Sequence, residues 1–367
     1  MSRSAAVPHR ERMVTNGDSR PNPVLTLSTP TDIIAAIPFL LGFHPGDDVI
    51  VIGLGGRSAR VRLTTRCDLP ADPAAAAQLA STLIAPLGRQ GCDRVLAVGY
   101  GPAERVTPCL EAVREILAGS GVRVAEALRV QGGRYWSHLC GSPRCCPPGG
   151  TAYDVGSSAV PAGAVAAGLT ARRDREDLAA SIAPIGGRGR ADMERATLRA
   201  ETRCARLWGR SDPGGHAAFE IAVRAEGVRT VRRVVAAALG GDPPEAPDTI
   251  AWLGVLLLSL RVRDEAWAHI RRERAQAHVL LWRHVLRRIE PPYSAAPGSL
   301  LAFAAWLSGD GVLADLALDR VDAAVPGYSM AELIRQALRC GVSPGDWRHF
   351  TPEWLEGRAP VAEQDGG

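Results

Sequence analysis

The sequence predicts two domains, an N-terminal α/β domain with a mixed β-sheet flanked by helices and then an all-α domain. Three observations carry this. Thr29–Gly56 reads as a capped apolar helix, a tight Pro-Gly turn and a wholly apolar strand. Strand and helix patterns then alternate as far as Asp154. Beyond the Cys/Pro/Gly-rich stretch Cys140–Asp154 the strand signals stop and helical periodicity takes over.

Residues 1–24 are polar and aperiodic and read as a disordered tail. Thr31 or Asp32 is expected to cap the first helix, whose apolar face is Ile33, Ile34, Ile37, Leu40 and Leu41. Pro38 lies inside that pattern, Gly42 ends it, and His44-Pro45-Gly46-Asp47 forms a turn. Val49-Ile50-Val51-Ile52 is β-branched throughout and predicts a strand buried on both faces. Gly55-Gly56 turns the chain into an alternating strand, Ala59 to Cys67. A helix follows over Pro73–Leu87, a strand over Arg94–Val98, a helix over Arg105–Ala118 and a strand over Val122–Val130. Gly132-Gly133 turns into a return strand, Arg134 to Leu139. Two strand–helix–strand crossovers predict parallel pairing, and the flanking hairpins add antiparallel strands.

Helical patterns then cover Ala159–Gly168, Arg175–Ile182 capped by Asp174, Ala191–Trp208, His216–Leu239, Ala246–Val262 and Asp264–Ile289. Ser299–Ser308, Gly311–Ala324 and Ser329–Cys340 complete the set. Gly298–Pro326 carries Leu301, Ala302, Ala314, Leu318 and Pro326 at the positions of a tetratricopeptide-like helix pair. The stripe Trp252, Leu256, Leu260, Trp267 and Ile270 is expected in the core. The expected layout is a tail over 1–24, the mixed-sheet domain over 25–155, a linker with short helices over 156–190, the helical domain over 191–350 and a flexible tail over 351–367.

Composition narrows the chemistry. The chain has 367 residues, 46% of them hydrophobic and 22% charged, with a net charge of +4. That charge is small, and the arginines are mixed with acids, which argues against nucleic-acid binding. The run Arg271, Arg272, Arg274, Arg283, Arg287, Arg288 reads as a solvated helix face beside Glu265, Glu273 and Glu290. The sequence contains no lysine, so a Schiff-base lysine and a Walker-type phosphate loop are both excluded. Gly53-Leu54-Gly55-Gly56 precedes a strand rather than a helix, which excludes a dinucleotide loop. No secretory signal is visible, and the most apolar run, Ile250–Leu260, is about half of what a membrane span needs. A cytoplasmic protein is expected, with its eight cysteines as reduced thiols or metal ligands.

Five ordered blocks carry a resemblance. They are IPFLLGFHPGDDVIVIG, RCDLP at Arg66–Pro70, YWSHLCGSPRCCPPGG at Tyr135–Gly150, VRDEAW at Val262–Trp267, and AAWLSGDGVLADLALDRVDAAVPGYSMAELI around Trp306. Together they resemble the bacterial domain of unknown function 4192 family, typical of high-GC actinobacteria, from about residue 27 to 348. The resemblance implies the fold layout and a cytoplasmic location. It brings no activity, cofactor or catalytic residue.

Three candidate sites follow from the residues. His138, Cys140, Cys145 and Cys146 supply four zinc-type ligands within nine residues. The same thiols suit a disulfide, and a structural loop with partly buried thiols is the plain alternative. A second candidate is the set of strand ends, where sheets with parallel strands bind ligands. Arg66, Asp68, Tyr100 and Trp136 are the expected ligand-binding residues there, against a structural Arg66–Asp68 ion pair. Third, His44 beside Asp47 and Asp48 has the groups for acid–base work, against a turn whose aspartates bond backbone amides. The expected function is a binding or regulatory module for a small polar ligand, with a protein or peptide partner on the helical domain. The alternative is an enzyme acting at the strand ends near Asp68, Tyr100 and the cysteine loop.

Overall fold

The computed structural model describes residues 11–13, 25–167, 169–209 and 216–356. The chain divides into two compact units. One runs to Leu178 and takes in Ala337–Ser343; the other comprises Ala179–Gln336 and the chain from Pro344.

In the first unit, β1 (Glu11–Met13) pairs antiparallel with β2 (Leu25–Leu27). The other residues expected to form the N-terminal tail lie outside the described residues. Helix α1 (Pro30–Leu41) is capped by Thr29, not by Thr31 or Asp32. Thr29 accepts the Asp32 N–H at 3.1 Å, and the Asp32 carboxylate accepts the Thr29 N–H at 3.0 Å, a reciprocal capping box with Pro30 at the first helical position. Then follow β3 (Asp48–Gly55), β4 (Arg60–Asp68), α2 (Pro73–Arg89), β5 (Arg94–Tyr100), α3 (Ala103–Gly119), β6 (Arg123–Gln131) and β7 (Arg134–Ser137). A two-residue strand, β8 (Thr151–Ala152), comes after the cysteine loop, and α4 (Val160–Ala166) and α5 (Arg175–Ala180) close the segment.

The six-stranded mixed sheet has the order β4-β3-β5-β6-β7-β8. Only one crossover, β5-α3-β6, joins neighbouring parallel strands. The other, β4-α2-β5, spans β3, because β5 pairs with β3 and not with β4. The reason lies in β3, buried along all eight residues. Burying both edges and both faces of that apolar run requires a partner on each side. Val49, Val51, Val95 and Ala97 join Leu83 and Leu87 of α2 and Val106, Leu110, Val113 and Leu117 of α3 in one apolar cluster. Gly99 of β5 lets α3 approach, since a Cβ there would lie 2.4 Å from Val106 Cγ1.

The second unit is helical: α6 (Gly187–Gly209), α7 (His216–Leu239), α8 (Pro247–Leu256), α9 (Leu260–Ala268), α10 (Ala275–Arg288), α11 (Ala295–Leu307), α12 (Gly311–Ala324), α13 (Ser329–Arg339) and α14 (Pro352–Leu355). The two longest predicted helices beyond residue 246 are each broken. The chain turns at Leu257–Ser259 and again at His269–Arg274, where Ile270 is fully buried. Ile250–Leu257 is buried on all sides, which one continuous amphipathic helix does not achieve. Leu260 is accordingly 60% exposed at the start of α9 and is not a core residue. Arg283, Arg287 and Arg288 are half-buried, so that half of the arginine run is no solvated face. Helices α11 and α12 pack closely where Gly298 meets Val321.

Glu265 of α9 is fully buried and paired. It accepts from Arg232 Nε at 2.7 Å and from Arg261 at 2.8 Å, with His269 Nε2 at 3.4 Å. Burial pushes its carboxyl up, and the hydrogen bonds from His269, Arg232 and Arg261 outweigh that, leaving it at about 2 against an ordinary 4.5.

Two outcomes follow. Gly99→Ala is expected to lower stability by about 1–3 kcal/mol through overpacking, read by urea unfolding. The Glu265 contribution is full above about pH 4.5 and is lost as pH falls through about 2. Glu265→Gln should therefore destabilise at pH 7 and flatten the acid limb of a stability–pH curve; an unchanged acid limb would contradict the pairing.

Candidate functional site

The sheet order decides which residues meet. Because β4 and β5 both run antiparallel to β3, and β6 runs parallel to β5, the ends of β4, β5 and β6 share one rim with the start of β3. In register, Asp48 faces Asp68, Val49 faces Gly99, and Tyr100 faces Val130. Arg66, Asp68 and Tyr100 thus lie on one rim, together with the turn His44–Asp47.

Three carboxylates on this rim are held by two arginines. Arg66 donates from Nε to Asp48 at 2.6 Å and from a terminal nitrogen to Asp68 at 2.5 Å. Asp48 is buried and also accepts the Gly46 N–H at 2.9 Å, which ties the turn to the sheet. Arg105, in the first turn of α3, donates to Asp47 at 3.0 Å and to the Leu69 carbonyl at 2.7 Å. Arg66 therefore bridges Asp48 and Asp68, and the Asp48 side chain bonds a backbone amide of its own turn.

A cavity of about 640 Å³ opens on the same rim. Phe39 of α1, His44 and Asp47 of the turn, Tyr100, Gln131 and Tyr153 are among its walls. Arg66, Asp68 and Trp136 are not. Gly101 holds the β5–α3 turn at φ +137°, where a Cβ would press on Leu69 at 3.0 Å. The Tyr100 hydroxyl is buried without a hydrogen-bond partner. Burial, with Tyr153 and Asp48 nearby, raises its pKa strongly. Phe39, Gln131 and Tyr153 are wall residues that sequence reasoning missed. Tyr153 comes two residues after Thr151, and only the pairing of β8 with β7 reveals its place.

The cysteine loop is fastened to β7. The Ser137 hydroxyl donates to Glu126 at 2.8 Å and accepts the backbone N–H groups of Leu139 at 3.3 Å and Cys140 at 3.2 Å. At the other end Arg134 donates to the Gly150 carbonyl at 2.8 Å and Trp136 Nε1 to the Pro148 carbonyl at 2.9 Å. The Arg129 guanidinium lies 3.5 Å over the Trp136 ring. Gly150 has φ +75°, and a Cβ there would lie 2.5 Å from the same indole, so glycine is required. Trp136 thus clamps the loop and takes no part in the cavity wall.

Cys140 Sγ lies 2.9 Å from Cys145 Sγ, and the thiols of Cys140, Cys145 and Cys146 all lie within 4.8 Å of one another. This cluster could hold a metal ion. His138 is not part of it. Its backbone N–H donates to Ala127 at 2.8 Å. Its half-buried imidazole is held below its ordinary pKa by burial and has Glu111, Arg129 and Arg114 as charged neighbours. The hydrogen bond from Cys145 lowers the Cys140 pKa, and burial pushes Cys146 up to about 12. The structure therefore assembles the three sulfurs and leaves the imidazole out.

The family described as a domain of unknown function, DUF4192, matches the chain over residues 30–345. No curated protein matches the chain, and no solved structure does. Among the described residues no helix is long and apolar enough to cross a membrane.

The rim pairs make a contrasting prediction. Arg66→Met leaves Asp48 buried without its cation and is expected to cost about 3–5 kcal/mol in urea unfolding. Asp68 is 87% exposed, so Asp68→Asn should cost no more than about 1 kcal/mol. Equal losses would contradict the assignment of Asp48 as the main partner.

Proposed function

We propose that this chain, which belongs to the DUF4192 family, is a binding module that takes a small ligand in the rim cavity of its α/β unit. The cavity carries the reading. Its 640 Å³ lies within the ~300–1,000 Å³ of small-molecule sites. Ile34, Phe39, Tyr100, Val130 and Tyr153 give it apolar and aromatic walls, and His44, Asp47 and Gln131 supply a few polar groups to orient a ligand. A ligand with an apolar body and one polar edge suits these walls better than a wholly polar one. An enzyme has less support. Asp47, Asp48 and Asp68 are each engaged by an arginine, and no nucleophile with an adjacent base lines the cavity. The helical unit is the proposed face for a protein or peptide partner, with Leu198, Trp208 and Ile221 more than half exposed on α6 and α7. The cytoplasm is the proposed compartment.

A second reading concerns the cysteine loop, favoured by the convergence of its three sulfurs. Zinc is the proposed metal, held by Cys140, Cys145 and Cys146 with a fourth position left for water or an added donor.

Extraction of natively purified protein, followed by mass spectrometry, tests the cavity. A small molecule is expected from the natural chain and from Val165→Trp, which changes an exposed residue outside the cavity. It should fall at least about tenfold in Val155→Trp, which fills an exposed part of the wall. Equal recovery from both variants, or an empty natural chain, overturns the reading. For the loop, metal analysis of protein purified without a histidine tag should find about one zinc per chain and background levels in Cys140→Ser.

A further inference from the structure

We infer that Cys140 and Cys145 form an oxidisable pair: a peroxide joins them as a disulfide and thereby expels the metal. The inference rests on the reading of the loop as a zinc site. Two thiolates on a tetrahedral zinc stand about 3.8 Å apart, given Zn–S bonds of ~2.3 Å. Cys140 and Cys145 are closer than that, at 2.9 Å, and an S–S bond needs ~2.05 Å. The loop therefore reaches beyond the spacing that zinc asks of this pair, towards the spacing of a disulfide. Small side-chain rotations separate the two states.

Access and fastening point the same way. Cys145 is exposed, whereas Cys92 and Cys109 are buried. Four residues, 141–144, separate the pair. Ser137 fixes the backbone at Cys140, while Arg134 and Trp136 fix it at 148–150. The sulfurs can join without unpairing β7. With His138 outside the cluster, the three thiolates are its ligand set among the described residues. Loss of two of them leaves Cys146 alone, which does not retain zinc.

The chemistry balances. The Cys145 thiolate attacks one oxygen of hydrogen peroxide, the O–O bond breaks, and the departing hydroxide takes a proton to become water. The Cys140 thiolate then attacks the sulfenic sulfur, and the second hydroxide leaves and is protonated. In sum, two thiolates, one peroxide and two protons give one disulfide and two waters. The two sulfurs lose two electrons, the peroxide oxygens gain them, and Zn²⁺ leaves without a change of oxidation state.

The test uses the full chain loaded with zinc and treated with hydrogen peroxide. Zinc release is followed with a chromogenic chelator while samples are alkylated and digested with trypsin. Cleavage after Arg144 puts Cys140 and Cys145 on different peptides. A Cys140–Cys145 bond therefore joins two peptides, a Cys145–Cys146 bond leaves them apart, and fragmentation between Cys145 and Cys146 assigns the partner of Cys140. Release is expected in step with the Cys140–Cys145 cross-link, and dithiothreitol should restore both thiols and zinc uptake. Zinc that stays bound under peroxide, leaves without the cross-link, or leaves with a Cys145–Cys146 bond overturns the inference and spares the zinc reading. A chain that neither carries zinc nor binds it in titration overturns the zinc reading itself.

Discussion

The first unit depends on burying one strand. β3 is apolar after its first residue, Asp48, and has neighbours on both edges, so its backbone groups are paired on each side. Both neighbours run antiparallel to it. Their carboxyl ends must then flank its amino end, and the turn that feeds it must lie among them. The cavity, the Arg66 bridge and the contact of Arg105 with Asp47 all sit at that meeting point. A parallel sheet reaches such a junction by reversing its strand order. Here the insertion of one antiparallel strand between two parallel ones does the same work.

Charge on this rim is arranged for rigidity. The buried Asp48 has a guanidinium on one side and the Gly46 amide on the other, so the turn His44–Asp47 is tied to β4 through a single side chain. The helical unit uses the same device at Glu265, where arginines from α7 and α9 meet on one buried carboxylate. In a chain without lysine, every such tie is built from a planar, multidentate cation.

Much of the fold was legible because local chemistry and global packing agree. Four consecutive β-branched residues at Val49–Ile52, glycines at the turns and the Asp72 cap of α2 each state one structure only. The illegible parts were decided by distant residues. Nothing local to Arg94–Tyr100 says that it pairs with β3 in place of β4. The breaks near Leu257 and His269 carry no glycine or proline; burial of Ile250–Leu257 and Ile270 places them. At the candidate site, the shared rim of Arg66, Asp68 and Tyr100 was readable from strand direction. The cavity was not, since its walls come from six separate stretches, including α1 and the residue after β8. The three sulfurs were readable from spacing. That His138 stays out of the cluster was not readable: it follows the end of β7, and its backbone N–H is committed to Ala127.

The two ends of the sheet have a consequence for how this molecule meets others. An open sheet invites a foreign strand to continue it through backbone hydrogen bonds. At one end β8 offers only two residues, preceded by Pro147-Pro148 and held by the cysteine loop. A guest there would find almost no ladder to extend. At the other end β4 sets Arg60, Arg62 and Arg66 along its course. Of these, Arg66 is already committed to Asp48 and Asp68. The sheet thus ends in a two-residue strand at one border and, at the other, in an arginine-bearing strand with β1 lying near it.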